Sequence, residues 1–247
     1  MLRKNLLKKY FIYVNSGYNL DSKLRLAIIV AFSNHIILRK VPALIGRLLI
    51  KISNKLSRRV VTKTHGLTFK VLDWLSCFIC TQSYENWAWE YLHIQKGDVF
   101  LDIGAHIGKY TLPVAKAVGE EGLVIAVEAS IENYYCLKSN IENNGLNNVR
   151  VVNAAAWSSN ERLKFFLGET SATGTTKKDV EKRTVDIIGR SMDSLLEELA
   201  RGGTVDWIKI DVEGAELEVL KGLNKTLHRS APKLLIEVLG ENRNVSP

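Results

Sequence analysis

From Val99 onward, short apolar runs alternate with polar stretches long enough for a few helical turns. This alternation narrows the fold more than any other feature of the chain. VFLDIGA, LVIAVEA, VRVVNAAAW, VDWIKIDV and PKLLIEVL read as strands. Their near-continuous apolar character suits strands covered on both faces. Between them, the segment ending near Val118, Ile131 to Asn144, Met192 to Ala200 and Ala215 to His228 read as helices. Ser191 offers an N-cap to the third, and Asn144-Gly145 stops the second. RLKFFLG and RTVDIIG add two strands around the polar loop Glu169 to Lys182. Strands joined through helices imply parallel crossovers and an α/β sheet with helices on both faces. Upstream, GLTFKVL reads as a strand, and the aromatic stretch from Asp73 to Ile94 as partly helical. No internal repeat is visible.

The sharpest local signal is Asp102-Ile103-Gly104-Ala105-His106-Ile107-Gly108, where a strand gives way to a helix. Bare backbone at Gly104 and Gly108 lets a ligand come close. In open parallel sheets, ligands bind beyond the carboxyl ends of strands, where strand order reverses. A nicotinamide dinucleotide wants G-x-G-x-x-G. Here His106 stands two residues after Gly104, and Asp102 is an awkward neighbour for a pyrophosphate. Asp102 suits a cationic amine instead. Glu128, ending the next strand, suits ribose hydroxyls. A phosphate-free nucleoside carrying an amino acid, such as S-adenosylmethionine, matches both acids.

A second constellation, Ile208-Lys209-Ile210-Asp211-Val212-Glu213-Gly214-Ala215-Glu216, also ends a strand. Asp211 and Glu213 are thereby expected at the same crevice. Gly214 permits the sharp turn, and Glu216 suits the first turn of the following helix.

Charge is distributed unevenly. Net charge is +8, yet residues 1–60 hold thirteen Lys and Arg against one acid, Asp21. The apolar run Leu26 to Leu38 is shorter than the ~20 residues a spanning helix needs. MLRKNLLKKY lacks the apolar core of a secretory signal. Leu44, Ile45, Leu48, Leu49, Ile52 and Leu56 share a helical stripe behind Pro42, with Arg47, Lys51, Lys55 and Arg58 largely off it. Such a leader either packs its aliphatics on the body or lies on an anionic membrane surface. Neither zinc-finger spacing nor an aromatic RNA-binding strand speaks for nucleic acid. Three cysteines make no disulfide framework and fit a reducing, cytoplasmic compartment. Cys77 and Cys80 lack the four ligands of a structural zinc site and are expected as buried packing, so no metal is expected.

SYENWAWEYLHIQKGDVFLDIGAHIGKYT, then VEA, Asn153-Ala154, SMDSLL and IKIDVEGAE, together resemble the FkbM-type methyltransferases across roughly Tyr84 to Glu237. The resemblance implies a Rossmann-like class I methyltransferase sheet and S-adenosylmethionine as cofactor. It also implies O-methylation of a glycan, lipid-linked sugar or related metabolite. It places Asp102, Gly104, Ala105 and Gly108 at the methionine portion, Glu128 at the ribose and Asn153-Ala154 near the adenine. Asp211 falls at the methyl-transfer crevice, among the cofactor residues, with Glu213 beside it; these two are the candidate bases, with His106 a distant third. His106, where the family often has asparagine, joins the cofactor residues. Pro113 predicts a late or kinked start for the helix expected near Lys109. Two strands that usually follow in the family are expected to be missing. The expected organisation is a basic helical leader at 1–60, a peripheral membrane contact, and a methyltransferase domain at 61–247. The alternatives are an RNA or protein methyltransferase recruited by the leader, and a cofactor-binding protein without turnover.

Overall fold

The computed structural model describes residues 12–32, 42–81, 84–168, 170–176, 183–199 and 204–238. The opening segment, the end of the Leu26 to Leu38 run and much of the Glu169 to Lys182 loop lie outside these residues. Two helices come first, α1 (Leu20–Phe32) and α2 (Ala43–Ser57), then the strands β1 (Val61–Thr64) and β2 (Leu67–Lys70). Next come α3 (Trp74–Ile79), a 3-10 turn (Asn86–Glu90), β3 (Val99–Ile103), α4 (Thr111–Val118), β4 (Leu123–Glu128) and α5 (Ile131–Asn143). The chain continues through β5 (Val149–Asn153), β6 (Ala155–Trp157), β7 (Glu161–Phe166), β8 (Thr184–Ser191) and α6 (Met192–Leu199). It closes with β9 (Trp207–Ile210), α7 (Glu216–Gly222), α8 (Asn224–Ser230) and β10 (Lys233–Ile236).

Five strands form a parallel sheet in the order β5-β4-β3-β9-β10. The order reverses between β3 and β9, so the ligand crevice of such a sheet opens there. Among the described residues no strand continues this sheet beyond β10. The two-residue period of a strand divides its side chains cleanly. Leu101, Ile103, Ile125, Val127, Ile208 and Ile210 face α6, α7 and α8. Phe100, Val124 and Trp207 face the other way, against α4 and the 3-10 turn, and Ala126 packs beside α5. Asp102 and Lys209 share this second face, as the alternation requires.

Two local features bear on the sequence reading, the first in line with Pro113 and the second against it. The helix after the glycine loop starts at Thr111, not Lys109, which puts Pro113 in its first turn, where proline is tolerated. VRVVNAAAW is not one strand: the chain changes sheets at Ala154, and β6 joins β8 and β7 in a separate three-stranded sheet.

The β1–β2 hairpin turns through His65 and Gly66, both at positive φ (53° and 76°), as a tight two-residue turn requires. Its outer edge is covered by α5. Asn140 and Asn144, one turn apart, exchange side-chain hydrogen bonds with the backbones of Lys70 and Thr68. Residues 16–18 run beside β1, with the Tyr18 N–H donating to the Val61 carbonyl at 2.8 Å. Leu26 and Ile29 of α1 are buried with Phe69, Cys77, Cys80 and Leu137. All three cysteines are buried free thiols, and burial raises their pKa values.

Candidate active site

The carboxyl ends of β3 and β9 meet at Gly104. Its φ is +75°, and a Cβ there would lie 1.8 Å from the Asp211 carbonyl oxygen. Only glycine allows this approach. The N–H groups of Gly104 and Ala105 both donate to the Val127 carbonyl, which ties the loop to β4 as well. Gly108 serves packing instead: a Cβ would meet Leu112 and Leu137. The three strand ends enclose a cleft of about 150 Å³.

Beneath the cleft lies a buried ionic group. Asp102 is fully buried, and its Oδ2 accepts from the Thr111 hydroxyl at 2.5 Å. The Lys209 ammonium lies 3.7 Å from the Asp102 Oδ1. Lys209 also donates to the Gly104 carbonyl (3.0 Å) and to Asp211 Oδ2 (3.2 Å), joining both loops. Burial pushes the Asp102 carboxyl up, with Lys209 and Thr111 opposing. Burial works against the Lys209 ammonium, but Asp211 and Asp102 outweigh it, and its pKa stands above the ordinary lysine value.

Glu128 anchors the β4 side. Its Oε2 accepts from the His106 N–H (2.8 Å), and its Oε1 from the Ser130 N–H (2.9 Å) and the Asn133 amide (3.1 Å). Three of a carboxylate's roughly four acceptor positions are thereby used within the chain. Among the described residues, the Asn133 Oδ1 beside it is buried without a hydrogen-bond partner, as is the Thr176 hydroxyl, also on the cleft wall. Burial pushes the Glu128 carboxyl up against these three donors. His106 stands at positive φ (52°), with its Nε2 2.7 Å from the Ser171 hydroxyl. Burial holds its imidazole down at about 4.

Residues 170–176 close over this arrangement. The Ser171 N–H donates to Asp73 at 2.5 Å, and its carbonyl accepts from Asn133 at 2.8 Å. The Thr175 hydroxyl donates to the Glu213 carbonyl at 2.7 Å. The segment thus bridges the β4 side of the cleft and the loop after β9.

The far end of the cleft is rich in charge. Glu85 accepts from Lys109 and from the Tyr110 hydroxyl (3.0 Å). The Lys109 ammonium lies 4.2 Å from the centre of the Tyr84 ring. Asp211, Glu213 and Glu237 complete this end. Burial, then Asp211 and Glu85, push the Glu237 carboxyl up, and burial raises Tyr84 to about 12.

Of the residues singled out in the sequence, Gly104, Ala105, His106, Glu128, Ala154, Asp211 and Glu213 line the cleft. Asp102, Gly108 and Asn153 lie behind its wall. The Asn153 amide donates to the carbonyls of Glu128 and Ala129 and so holds the end of β4. Sequence reasoning missed Lys209, Asn133, Glu85, Lys109 and Glu237. Only Lys209 carried a signal: a lysine at an inward position of an apolar strand needs a buried counter-charge.

The donor set fits the S-adenosylmethionine expected from the sequence. Glu128 with the unpartnered Asn133 Oδ1 offers acceptors to a pair of hydroxyls, and Ile103, Val127, Ala154, Ala155 and Ala156 provide an apolar wall for a base. Among the described residues no three His, Cys, Asp or Glu side chains cluster as a metal site.

Comparison with known proteins bears on the same region. The family model described as "Methyltransferase FkbM domain" matches residues 102–245, more than half of the chain. A 59-residue stretch is 37% identical to 23S rRNA (uracil(1939)-C(5))-methyltransferase RlmD of Acinetobacter baumannii (strain SDF), covering 24% of this chain and 13% of that protein. The RlmD of Acinetobacter baylyi is 39% identical over 62 residues, covering 25% of this chain. The chain therefore spans only about 13% of the length of these curated relatives. Among solved structures, a methyltransferase FkbM from Methylobacillus flagellatus KT aligns at 15% identity with a TM-score of 0.46. The alignment covers 93% of this chain and 47% of that one. A SAM dependent methyltransferase from Aquifex aeolicus aligns at 22% identity with a TM-score of 0.37, covering 66% and 68%.

Proposed function

The chain belongs to the FkbM methyltransferase family, and from that premise we propose that it O-methylates a hydroxyl of a glycan, lipid-linked sugar or related metabolite. S-adenosylmethionine supplies a methyl group on a sulfonium, which is already a good leaving group. The chain's own residues then have two tasks: to hold cofactor and acceptor in line, and to take the hydroxyl proton.

In this reading Glu128 and Asn133 receive the ribose hydroxyls, and Ala154 and its apolar neighbours take the adenine. Gly104, Ala105 and His106 border the methionine portion. Asp102, Gly108 and Asn153 shape these loops from behind. Asp211 and Glu213 face the acceptor and are the candidate proton acceptors. Lys209 fixes the Asp211 carboxylate through its 3.2 Å ion pair. Residues 170–176 keep water from the reacting groups.

The observation that carries this reading is the cleft at the strand-order reversal, with hydroxyl acceptors at one end and carboxylates at the other. Calorimetry on the full chain tests the cofactor half: S-adenosylhomocysteine is expected to bind. Tight binding of a nicotinamide dinucleotide with no response to S-adenosylhomocysteine would overturn the assignment. Mass spectrometry of glycans and lipids from a deletion strain tests the acceptor half, where loss of a methyl group from a sugar hydroxyl is expected.

A further inference from the structure

The helix α2 is built the wrong way round for a helix packed on a globular body. Its buried positions are Gly46, Ser53 and Ser57. Its outward positions are Leu44, 80% exposed, Ile45, Leu48, 56% exposed, and Ile52. Polar contacts hold the inner face: the Asn54 side chain accepts from the Trp74 N–H at 3.2 Å, where α3 begins. At 100° per residue, the four outward aliphatics form one stripe, opposite the buried Gly46, Ser53 and Ser57. Arg47, Lys51, Lys55 and Arg58 form a second stripe beside it, all exposed.

Helix α1, which packs against α2, repeats the pattern in part. Leu26 and Ile29 enter the core, while Leu20, 74% exposed, and Leu24, 59% exposed, point to solvent. An exposed apolar surface of this extent marks an interaction site.

Charge decides what occupies it. Bases border the stripe on α2, and residues 1–60 hold thirteen bases against one acid. A second copy of this chain would bring the same positive charge to the same place. An anionic lipid surface complements both stripes, since aliphatics enter the acyl boundary while the neighbouring bases meet headgroup phosphates. No helix among the described residues is long and apolar enough to cross a membrane, so the contact is peripheral. We propose that the outward face of α2 docks the protein on an anionic membrane surface. This inference is independent of the methyl acceptor.

The test is co-sedimentation of the full chain with phosphatidylglycerol-containing and pure phosphatidylcholine vesicles, at low and high salt. Binding to the anionic vesicles alone, weakened by salt, is expected. Each base near such a surface strengthens binding roughly fivefold. The triple variant Arg47→Gln, Lys51→Gln, Lys55→Gln should therefore bind about a hundredfold more weakly. Leu44→Gln with Leu48→Gln should weaken binding at both salt concentrations. S-adenosylhomocysteine binding by each variant reports an intact domain, because none of these residues lies at the cleft. If the full chain stays in the supernatant at low salt, the proposal is wrong. The same holds if both variants bind like the parent, if the Leu44 and Leu48 changes dissolve a dimer instead, or if the parent chain binds RNA and leaves the vesicles unbound at the same salt.

Discussion

Asp102 and Lys209 stand opposite each other in the register of β3 and β9, with their charged ends 3.7 Å apart and both side chains buried. Parallel pairing sets this juxtaposition, and it places one ammonium between two aspartates at the floor of the cleft. Removing one partner leaves an uncompensated buried charge, which costs roughly 3–5 kcal/mol. Lys209→Met should lower stability by about that amount in urea melts, and adding Asp102→Asn should recover part of it. The sign of the pH effect follows. In Lys209→Met the Asp102 carboxyl, already raised by burial, loses the ammonium that restrains it. A carboxyl raised in the folded state contributes stability below its unfolded pKa and loses it as pH rises. The stability deficit of Lys209→Met relative to the parent should therefore shrink on acidification. A deficit that does not change with pH would show that Asp102 is not the group left unpaired.

A second pH effect has the opposite sign. Burial holds His106 at about 4 against an ordinary value of 6.5. A depressed base contributes stability above its unfolded pKa and loses it as pH falls toward the folded one. Between about pH 6.5 and 4, the parent should lose stability that His106→Gln does not lose. Asp102 and Glu128, both raised, push the other way in the two proteins alike. The difference between the two stability curves isolates the histidine, and parallel curves would refute the assignment.

Glycine at 104 is demanded by two constraints at once, positive φ and the Asp211 carbonyl 1.8 Å from a would-be Cβ. At Gly108, φ +102°, the atoms nearest a would-be Cβ are side-chain carbons of Leu112 and Leu137 rather than backbone. The backbone strain alone is about 1–3 kcal/mol. Gly104→Ala should cost more than that and abolish S-adenosylhomocysteine binding, because β3 and β9 must part. Gly108→Ala should cost less. Thermal melts and calorimetry of the pair check the order.

The alternation of apolar runs and helices was legible because strands covered on both faces are apolar at nearly every position, with Asp102 in β3 and Lys209 in β9 the charged exceptions. Hence β3, β4 and β9 fell where the residues put them, and the glycine loop and the segment after β9 converged. Pro113 even announced the late start of α4. What escaped depends on contacts distant in sequence. Helix Ala215 to His228 splits at Leu223, and a Cβ at Gly222 would lie 2.0 Å from the Trp157 carbonyl, a neighbour no local pattern reveals. Asn133 looked like an ordinary helical residue, and its meaning came only from Glu128 and Ser171. The stripe on α2 was visible as periodicity, but periodicity does not say which side faces water. The structure turned Leu44, Ile45, Leu48 and Ile52 outward and kept Leu56 against the core.

Glu128 and Asn133 should divide cofactor binding between them. Glu128 also holds the His106 N–H, the Ser130 N–H and the Asn133 amide, so Glu128→Ala disturbs the loop as well as the ligand. It should weaken S-adenosylhomocysteine by roughly 1.5–3 kcal/mol, the range for a hydrogen bond to a charged group. Asn133→Ala removes a neutral acceptor and should weaken it by about 0.5–1.5 kcal/mol. Calorimetry that ranks Asn133→Ala above Glu128→Ala would reverse the assignment of the two groups.

Asp211 and Glu213 should separate turnover from cofactor affinity. Both line the charged end of the cleft, and Asp211 is held by Lys209 at 3.2 Å. A positioned base contributes ~10²–10⁴-fold to rate, so Asp211→Asn and Glu213→Gln should lower kcat within that range. Their S-adenosylhomocysteine affinity should change little. A control is needed at Glu213, whose φ of 54° is unusual for a residue with a side chain. Glu213→Gln keeps that backbone conformation and its bond from Thr175 while removing the charge. Glu213→Gly relaxes the backbone and removes the carboxylate together. If the carboxylate takes the proton, both variants are slow. If Glu213 matters only for holding the turn, Glu213→Gln keeps its rate. Near-normal turnover in both Asp211→Asn and Glu213→Gln would move the base to another carboxylate of the cleft, with Glu85 and Glu237 the next to replace.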